Sequence, residues 1–160
     1  MYMDNIQIIS FKANIDSIGG TLNLIDSIKD DDEIIQLLNA NSIVSKDHII
    51  HGVNQAFLAF DRGENLANDI SVEIVLRCSA QRQISKAFDM MGLKEGEMNF
   101  YAVLINSKDY THDLVSVCGF ELCEFTQDSN HLMNLYKIGE SQMSVEDIII
   151  DRITKLAVDY

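Results

Sequence analysis

The stretch SVEIVLRC at Ser71–Cys78 decides the fold class to which this chain is assigned. It is apolar and rich in β-branched residues, and polar segments bound it on both sides, a composition typical of a buried strand. We therefore predict a strand over 71–78. Alternation along that strand would place Glu73, Val75 and Arg77 on one face, where Glu73 and Arg77 form an ion pair.

A helix and a second strand are predicted directly after this stretch. Ser79 is a suitable N-cap for a helix over 80–91, and Gly92 is a suitable residue to end it. The predicted core face of this helix comprises Ile84, Ala87, Phe88 and Met91. Residues 97–105 predict the second strand. Because a single helix connects the two strands, we predict a parallel pair with a right-handed crossover.

The flanking sequence adds further strands and helices. Strands are predicted at 6–12 and 120–125, whereas residues 34–38 fit either a short strand or a helical turn. Further helices are predicted at 21–29, 46–61, 107–117, 131–137 and 144–158. The sum is an α/β fold in which residues 1–160 form a single domain, with a central mixed β-sheet packed by helices.

Composition bounds the class of protein. The 160 residues contain no long apolar run and no secretory signal pattern, so we expect a cytoplasmic protein. Cys78, Cys118 and Cys123 are expected to be reduced, although a pairing of Cys118 with Cys123 is open. No C-x-x-C motif supports a zinc site of the usual spacing.

The charge of the chain argues against one class of function. The formal net charge is -13 at pH 7, with 12 Lys and Arg against 25 Asp and Glu. Nonspecific nucleic-acid binding requires clustered cations, so this composition argues against it. A local contact with RNA remains compatible with the charge.

The helix predicted over 46–61 presents two different faces. Ser45 is its predicted N-cap, and Gly63 is predicted to end it. At 100° per residue, Ile49, Val53, Ala56, Phe57 and Phe60 share the core face. The opposite side carries His48, His51, Gln55, Leu58 and Arg62, with Asn54 at its edge. Imidazole and amide groups on an outer face can stack on and hydrogen-bond to unpaired bases.

Three other interpretations of the two histidines stay open. Polar residues on the outer side of an amphipathic helix are usually only solvated. The H-x-x-H spacing of His48 and His51 is a weak metal motif that needs further ligands. Acid–base catalysis by either histidine needs a partner group that the sequence does not identify.

A second polar patch follows the stretch at 71–78. Gln81, Arg82 and Gln83 are predicted in the first turn of a helix, where free backbone N–H groups can hold a phosphate. Arg82 and Lys86, spaced i and i+4, would reinforce that site. Together with Arg77 they concentrate three of the few basic residues within ten positions.

The last predicted helix has a wide apolar arc. Ser144 and Asp147 resemble a capping box at its start. The arc comprises Val145, Ile148, Ile149, Ile150, Ile153, Leu156, Ala157 and Tyr160. It fits a helix buried between two elements equally well as a helix that also meets a partner protein.

Several of these residues together resemble a known family. They are Leu38-Asn-Ala40, Ser45-Lys46, His48, His51, Asn54-Gln55-Ala56, Glu73 to Arg77, Ser79 to Ile84, Ala87 and Gly92. Over about residues 36–106 the pattern resembles the small regulatory, kinase-binding subunit of the KEOPS complex, of the archaeal type. The human member of that family is TPRKB, the PRPK-binding protein.

The resemblance implies a fold and a function. It implies a single α/β domain that is not itself an enzyme and needs no cofactor. KEOPS places a threonylcarbamoyl group on adenosine 37 of tRNA, and the small subunit docks on the atypical kinase and supports its ATPase activity. Archaeal members also help to recruit tRNA through its single-stranded 3′ CCA end.

The resemblance and the patches together give the candidate sites. The expected RNA-binding residues are His48, His51, Asn54, Gln55, Arg77, Arg82 and Lys86. The expected partner-binding residues are Ile149, Ile150 and Ile153. Three alternatives remain: a kinase-regulating interaction module without RNA contact, a small enzyme using His48 or His51, and a structural domain.

Overall fold

The computed structural model describes residues 2–156. The chain forms two compact units, each assembled from separate stretches of sequence. The sheet unit comprises residues 3–40 and 93–126, and the helical unit comprises residues 1–2, 41–92 and 127–160. That residues 1–160 form a single domain stays a prediction.

The sheet unit contains a four-stranded sheet with the order β2-β3-β1-β4. Its strands are β1 at Ile6–Ile15, β2 at Ile34–Asn39, β3 at Gly96–Ile105 and β4 at Glu121–Leu122. The long strands β1 and β3 pair in a register that runs from Ile6 opposite Ile105 to Ile15 opposite Gly96. Because β1 and β3 pair along their whole length, they form the central part of the sheet.

All strand pairs of this sheet are antiparallel. The predicted α/β class, with a central sheet and helices packed on it, is confirmed, and residues 34–38 lie in a strand. The predicted parallel pair is wrong, so the sheet is not mixed, because one of the two strands it required does not exist. The strand predicted over 120–125 is reduced to Glu121–Leu122.

Aromatic residues fill the core of the sheet unit. Phe11, Phe100 and Phe120 are at most 3% exposed, and the rings of Phe100 and Phe120 meet edge to face at 4.8 Å between centroids. Helix α1 at Ile18–Ile28 and helix α5 at Thr111–Ser116 add Ile25 and Leu114 to the same cluster. The two helices therefore cover one face of the sheet.

The helical unit contains the remaining helices. They are α2 at Lys46–Arg62, α3 at Ile70–Ser79, α4 at Ile84–Met91, α6 at Ser129–Leu135 and α7 at Val145–Lys155, and a 3₁₀ turn lies at Ala40–Ser42. The helices predicted over 46–61 and 131–137 are confirmed. The helix predicted over 144–158 is also present, but the predicted end at Val158 lies outside the described residues.

The strand predicted over 71–78 is wrong, because this stretch forms helix α3. Asp69 caps the helix by accepting the N–H groups of Ser71 and Val72 at 2.7 and 3.4 Å. Every residue from Glu73 to Ser79 is buried. A helix buried on all sides loses the amphipathic period that identifies helices in sequence, and its β-branched residues then resemble a strand.

Helix α4 begins four residues later than predicted. Ser79 does not cap it: Ser79 is the last residue of α3, and its hydroxyl donates to the carbonyl of Leu76 at 3.0 Å. Gln81 and Arg82 consequently lie in the link between α3 and α4. The predicted anion site in the first turn of a helix at these residues is therefore wrong.

A glycine permits α2 and α3 to cross closely. A Cβ atom at Gly52 would lie 2.5 Å from the sulfur, 3.1 Å from the Cα and 3.2 Å from the backbone nitrogen of Cys78. Since two of these atoms are backbone, a side chain here would push the helices apart. Among the described residues, none of the helices is long and apolar enough to cross a membrane.

Candidate nucleic-acid interface

Helix α2 has the amphipathic form that its sequence predicts. The Ser45 hydroxyl accepts the N–H of His48 at 3.2 Å, and Gly63, at φ 68°, ends the helix. Ile49, Val53 and Ala56 are fully buried. On the other side Asn54 is exposed and Gln55 is half-buried.

His48 does not point outward, and this prediction is wrong. Its side chain is fully buried, and Nε2 donates to the carbonyl of Cys78 at 2.7 Å while Nδ1 accepts the N–H of Val44 at 3.2 Å. Both ring nitrogens thus bond to backbone, which fixes the neutral Nε2–H tautomer. Burial lowers the pKa of His48 to about 4. His48 therefore caps the C-terminus of α3 from inside the fold.

His51 joins α2 to α7 at the surface of the helical unit. Its Nε2 donates to the hydroxyl of Thr154 at 2.7 Å, and that hydroxyl donates to the carbonyl of Ile150 at 3.1 Å. Partial burial lowers the pKa of His51. The half-buried ring is neutral at pH 7 and stays accessible on one side.

Arg77 is sealed inside the helical unit with its predicted partner. Its Nε donates to Glu73 Oε2 at 2.7 Å, and both side chains are at most 1% exposed. Glu73 Oε1 accepts the N–H of Ala67 at 2.7 Å, and Arg77 Nη2 donates to the carbonyl of Glu64 at 3.4 Å. The ion pair was predicted on a strand face and forms instead along a helix, where side chains four residues apart are direct neighbours.

Arg82 and Lys86 do not share the helix flank predicted for them. Lys86 lies in α4 and is exposed, whereas Arg82 lies in the link before it. The exposed Arg82 donates from Nη2 to the carbonyl of Leu156 at 3.2 Å. Arg82 and His51 therefore both contact the C-terminal part of α7.

Lys86 borders a small cavity that we call the basic cavity. It has a volume of about 240 Å³. Its lining comprises Ser79, Ala80, Gln81, Lys86, Leu135, Tyr136, Lys137 and Arg152. The lining carries three cations and no Asp or Glu, in a chain with a net charge of -13. This concentration of positive charge favours an anion.

Sequence reasoning missed two of the three cations of the basic cavity. Lys137 follows α6 and Arg152 lies in α7, so neither is near Lys86 in the sequence. Arg152 donates to the backbone carbonyls of Tyr136 and Lys137, with Nη2 at 3.4 Å from the latter. No local signal predicts this meeting, which depends on how the helices pack.

Two residues of the basic cavity have unusual backbone conformations. Ala80 and Lys137 have φ values of 54° and 55° and are two of the three non-glycine residues with positive φ in the described chain. Each follows a helix and closes a bond from the next residue, Gln81 to Leu76 and Ile138 to Met133. These are Schellman turns with a residue other than the favoured glycine, which costs about 1 kcal/mol each.

Helix α7 buries two of the three predicted partner-binding residues. Ile149 and Ile153 are fully buried and Ile150 is half-buried, so of the three only Ile150 offers surface, and their contact with a partner stays a prediction. A shallow groove of about 460 Å³, which we call the apolar groove, lies where α6 leads into α7. Its lining comprises Met133, Ile138, Gly139, Glu140, Ser141, Met143, Ser144, Val145 and Ile148.

Metal-ligating residues do not converge within residues 2–156: no three His, Cys, Asp or Glu side chains there could hold an ion together. The three cysteines are free thiols, and burial raises the pKa of Cys78 to about 12. The described residues therefore give the H-x-x-H spacing no third ligand.

Comparison with known proteins places the chain in a family. The sequence profile of the family described as "Kinase binding protein CGI-121" matches residues 15–155, which is most of the chain. The chain belongs to the CGI-121 kinase-binding family. A similar protein is the regulatory protein Cgi121 of Methanocaldococcus jannaschii, 28% identical over 119 residues that cover 71% of this chain and 77% of that protein.

Membership in the CGI-121 family confirms the resemblance drawn from the sequence. The motif residues that carried it have two kinds of structural role. His48, Glu73 and Arg77 hold α2, α3 and the loop between them together from inside. Gln81 and Lys86 line the basic cavity. A pattern read as one surface thus combines a buried framework with an exposed site.

Proposed function

We propose that this CGI-121 protein is a non-catalytic regulatory subunit of the KEOPS complex, which makes threonylcarbamoyl-adenosine at position 37 of tRNA. In this role it binds and activates the atypical kinase subunit and helps to recruit tRNA through the single-stranded 3′ CCA end. Membership of a kinase-binding family and similarity to a regulatory protein support the kinase part of the proposal.

The basic cavity is the observation that carries the RNA part. Lys86, Lys137 and Arg152 can neutralise backbone phosphates, and the exposed Arg82 extends the positive surface along the link from α3. Its volume of about 240 Å³ suits a phosphate group with part of its sugar rather than a duplex. The proposed ligand is therefore an unpaired strand end.

The outer side of α2 supplies a second set of contacts for that strand. Asn54 and Gln55 present amide groups, and His51 presents a neutral imidazole ring. Such groups hydrogen-bond to and stack on exposed bases. His48 and Arg77, although expected at the interface, act from within by fixing α2 and α3.

The apolar groove is the proposed binding site for the kinase subunit. Met133, Ile138 and Val145 offer apolar surface, and Met143 is 50% exposed. Glu140 and Glu146 bring negative charge to the same region. This combination fits an apolar segment of the kinase flanked by Lys or Arg.

Co-purification with the kinase subunit, with tRNA present or absent, tests both parts. We expect the kinase to be retained in either condition, and intact tRNA to be retained more strongly than tRNA that lacks its last three nucleotides. Because the chain is acidic, RNA binding by the isolated chain is expected to be weak and salt-sensitive, and the assembled complex supplies the rest.

A kinase-regulating module without RNA contact is the second candidate. The charge of -13 and the burial of His48 and Arg77 favour it. Lys86→Glu separates the two functions. The control is Lys46→Glu, which makes the same change of charge at an exposed residue at the start of α2. Loss of tRNA retention in Lys86→Glu alone, with kinase binding intact, supports RNA recruitment. Unchanged tRNA retention in both variants supports the second candidate.

A further inference from the structure

One short segment separates the basic cavity from the apolar groove. Leu135, Tyr136 and Lys137 line the basic cavity, whereas Met133 and Ile138 line the apolar groove. Helix α7 is divided in the same way: Arg152 faces the basic cavity, and Val145 and Ile148 face the groove. The two sites therefore share a wall made by the end of α6 and by α7.

The conformation of this wall depends on a strained turn. Lys137 has a φ of 55°, and the turn is closed by the N–H of Ile138, which donates to the carbonyl of Met133 at 2.8 Å. Those two bonded residues are the ones that face the groove. Any loosening of the turn therefore moves the wall of the groove.

Arg152 holds the turn from the side of the basic cavity. Its guanidinium donates to the carbonyls of Tyr136 and Lys137 at once. A guanidinium has five N–H donors, so an anion can bind Arg152 without displacing either carbonyl. The Tyr136 side chain is also held in place, because its hydroxyl donates to the carbonyl of Ser42 at 2.6 Å.

We infer that Arg152 couples the two sites, so that a phosphate bound in the basic cavity fixes the turn at Lys137 and strengthens binding of a partner in the apolar groove. This rests on the proposed function for the identity of the two ligands. The coupling is positive because the anion immobilises a side chain that the turn already requires in that position. Linkage requires the effect to be mutual.

Amide hydrogen exchange with pyrophosphate as the probe tests the first half on the chain alone. At constant ionic strength, pyrophosphate should slow exchange at Ile138 by about fivefold or more, without affecting amides of the sheet unit. Unchanged exchange at Ile138 under saturating pyrophosphate, or no pyrophosphate binding at all, would overturn the inference.

Calorimetric titration with the kinase subunit tests the second half. We expect its Kd to fall by about fivefold or more when a short RNA ending in CCA saturates the chain. If kinase and RNA each bind but the Kd is unchanged, the inference fails and the proposed function stands. If the chain binds neither, the proposed function itself fails.

Arg152→Lys is the decisive variant, because lysine keeps the charge but has all its donors on one nitrogen, whereas arginine bonds Tyr136 and Lys137 through two separate nitrogens. We expect it to retain most of the pyrophosphate affinity and to lose the effects on Ile138 exchange and on kinase affinity. Lys155→Gln, on the same helix but paired with Asp151 at 2.9 Å, is the control and should keep both effects. Coupling that persists in Arg152→Lys would contradict the assignment.

Discussion

At the scale of single residues, the buried imidazole of His48 gives the fold a dependence on pH. The pKa of His48 is about 4 in the folded chain and about 6.5 when unfolded, so the unfolded state binds the proton more readily. The contribution of the neutral His48 side chain to the stability of the folded chain is complete above pH 6.5 and is lost as the pH falls towards 4. Between these values the free energy of unfolding should fall by up to about 1.4 kcal/mol per pH unit.

Urea unfolding between pH 4 and 7.5 measures this dependence. In His48→Gln the amide can still donate to Cys78, but the residue does not titrate, so the slope assigned to His48 should disappear. His51 shifts its pKa in the same direction and leaves a smaller slope in the variant. Equal slopes for the variant and the wild-type protein would show that His48 is not the titrating group.

Gly52 is the second residue on which the helical unit depends. Gly52→Ala places a Cβ against the backbone and sulfur of Cys78, so the free energy of unfolding should fall by about 1–3 kcal/mol. The matched control is Gly19→Ala in α1, where no heavy atom lies within 4 Å of the new Cβ. The control should be neutral or gain up to about 1 kcal/mol. Equal effects in both variants would refute the close crossing.

At the scale of elements, the buried ion pair of α3 should be costly to break on one side. Glu73→Gln keeps an oxygen for the N–H of Ala67 but leaves the charge of Arg77 without its counter-ion. We expect a loss of about 3–5 kcal/mol in urea unfolding. Combining Glu73→Gln with Arg77→Met should recover most of that loss. A single variant as stable as the wild type would contradict this role.

The strained turn at the end of α3 gives a stabilising prediction. Ala80→Gly relieves the left-handed conformation and should raise the free energy of unfolding by about 1 kcal/mol, despite the flexibility that glycine adds to the unfolded chain. Gly63→Ala, which introduces alanine at the corresponding position after α2, should lower it by a similar amount. Thermal unfolding of both variants in one buffer compares them. A lower stability in Ala80→Gly, or a higher one in Gly63→Ala, would contradict the interpretation.

The elements that sequence could predict are those whose signals are local. The cap at Ser45, the glycine after Arg62 and the alternation of residues 6–12 each act within a few positions, and each led to the observed element. Helix α3 was not predicted from the sequence, because neighbouring elements bury it on all sides and its own residues therefore show no helical period. The burial of His48 was not predicted for the same reason, since a helical wheel contains no information about elements that pack on the polar side of the helix.

The candidate site shows the same limit. Lys86 was predicted from the run of basic residues in its segment, whereas Lys137 and Arg152 reach the basic cavity from distant positions in the chain. The resemblance to a family identified the pattern of residues but could not separate its buried members from its exposed ones. Only the packing of α3, α6 and α7 makes that separation.

At the scale of the whole molecule, charge is unevenly divided between the two units. By sequence, the sheet unit has 4 Lys against 13 Asp and Glu, a formal charge of -9, and the helical unit has 8 Lys and Arg against 12 acidic residues, a charge of -4. Most cations therefore lie in the unit that contains the basic cavity. The sheet unit should repel nucleic acid, which favours a local rather than an extensive RNA contact.

The most direct test of the central claim is the salt dependence of binding to a short single-stranded RNA that ends in CCA, measured by fluorescence anisotropy. If the basic cavity holds its phosphates, Lys86→Gln combined with Lys137→Gln should weaken binding and reduce the slope of log K against log salt by about 1.4. Lys46→Gln combined with Lys155→Gln should leave that slope nearly unchanged. The same slope in both double variants would place the RNA elsewhere and contradict the account.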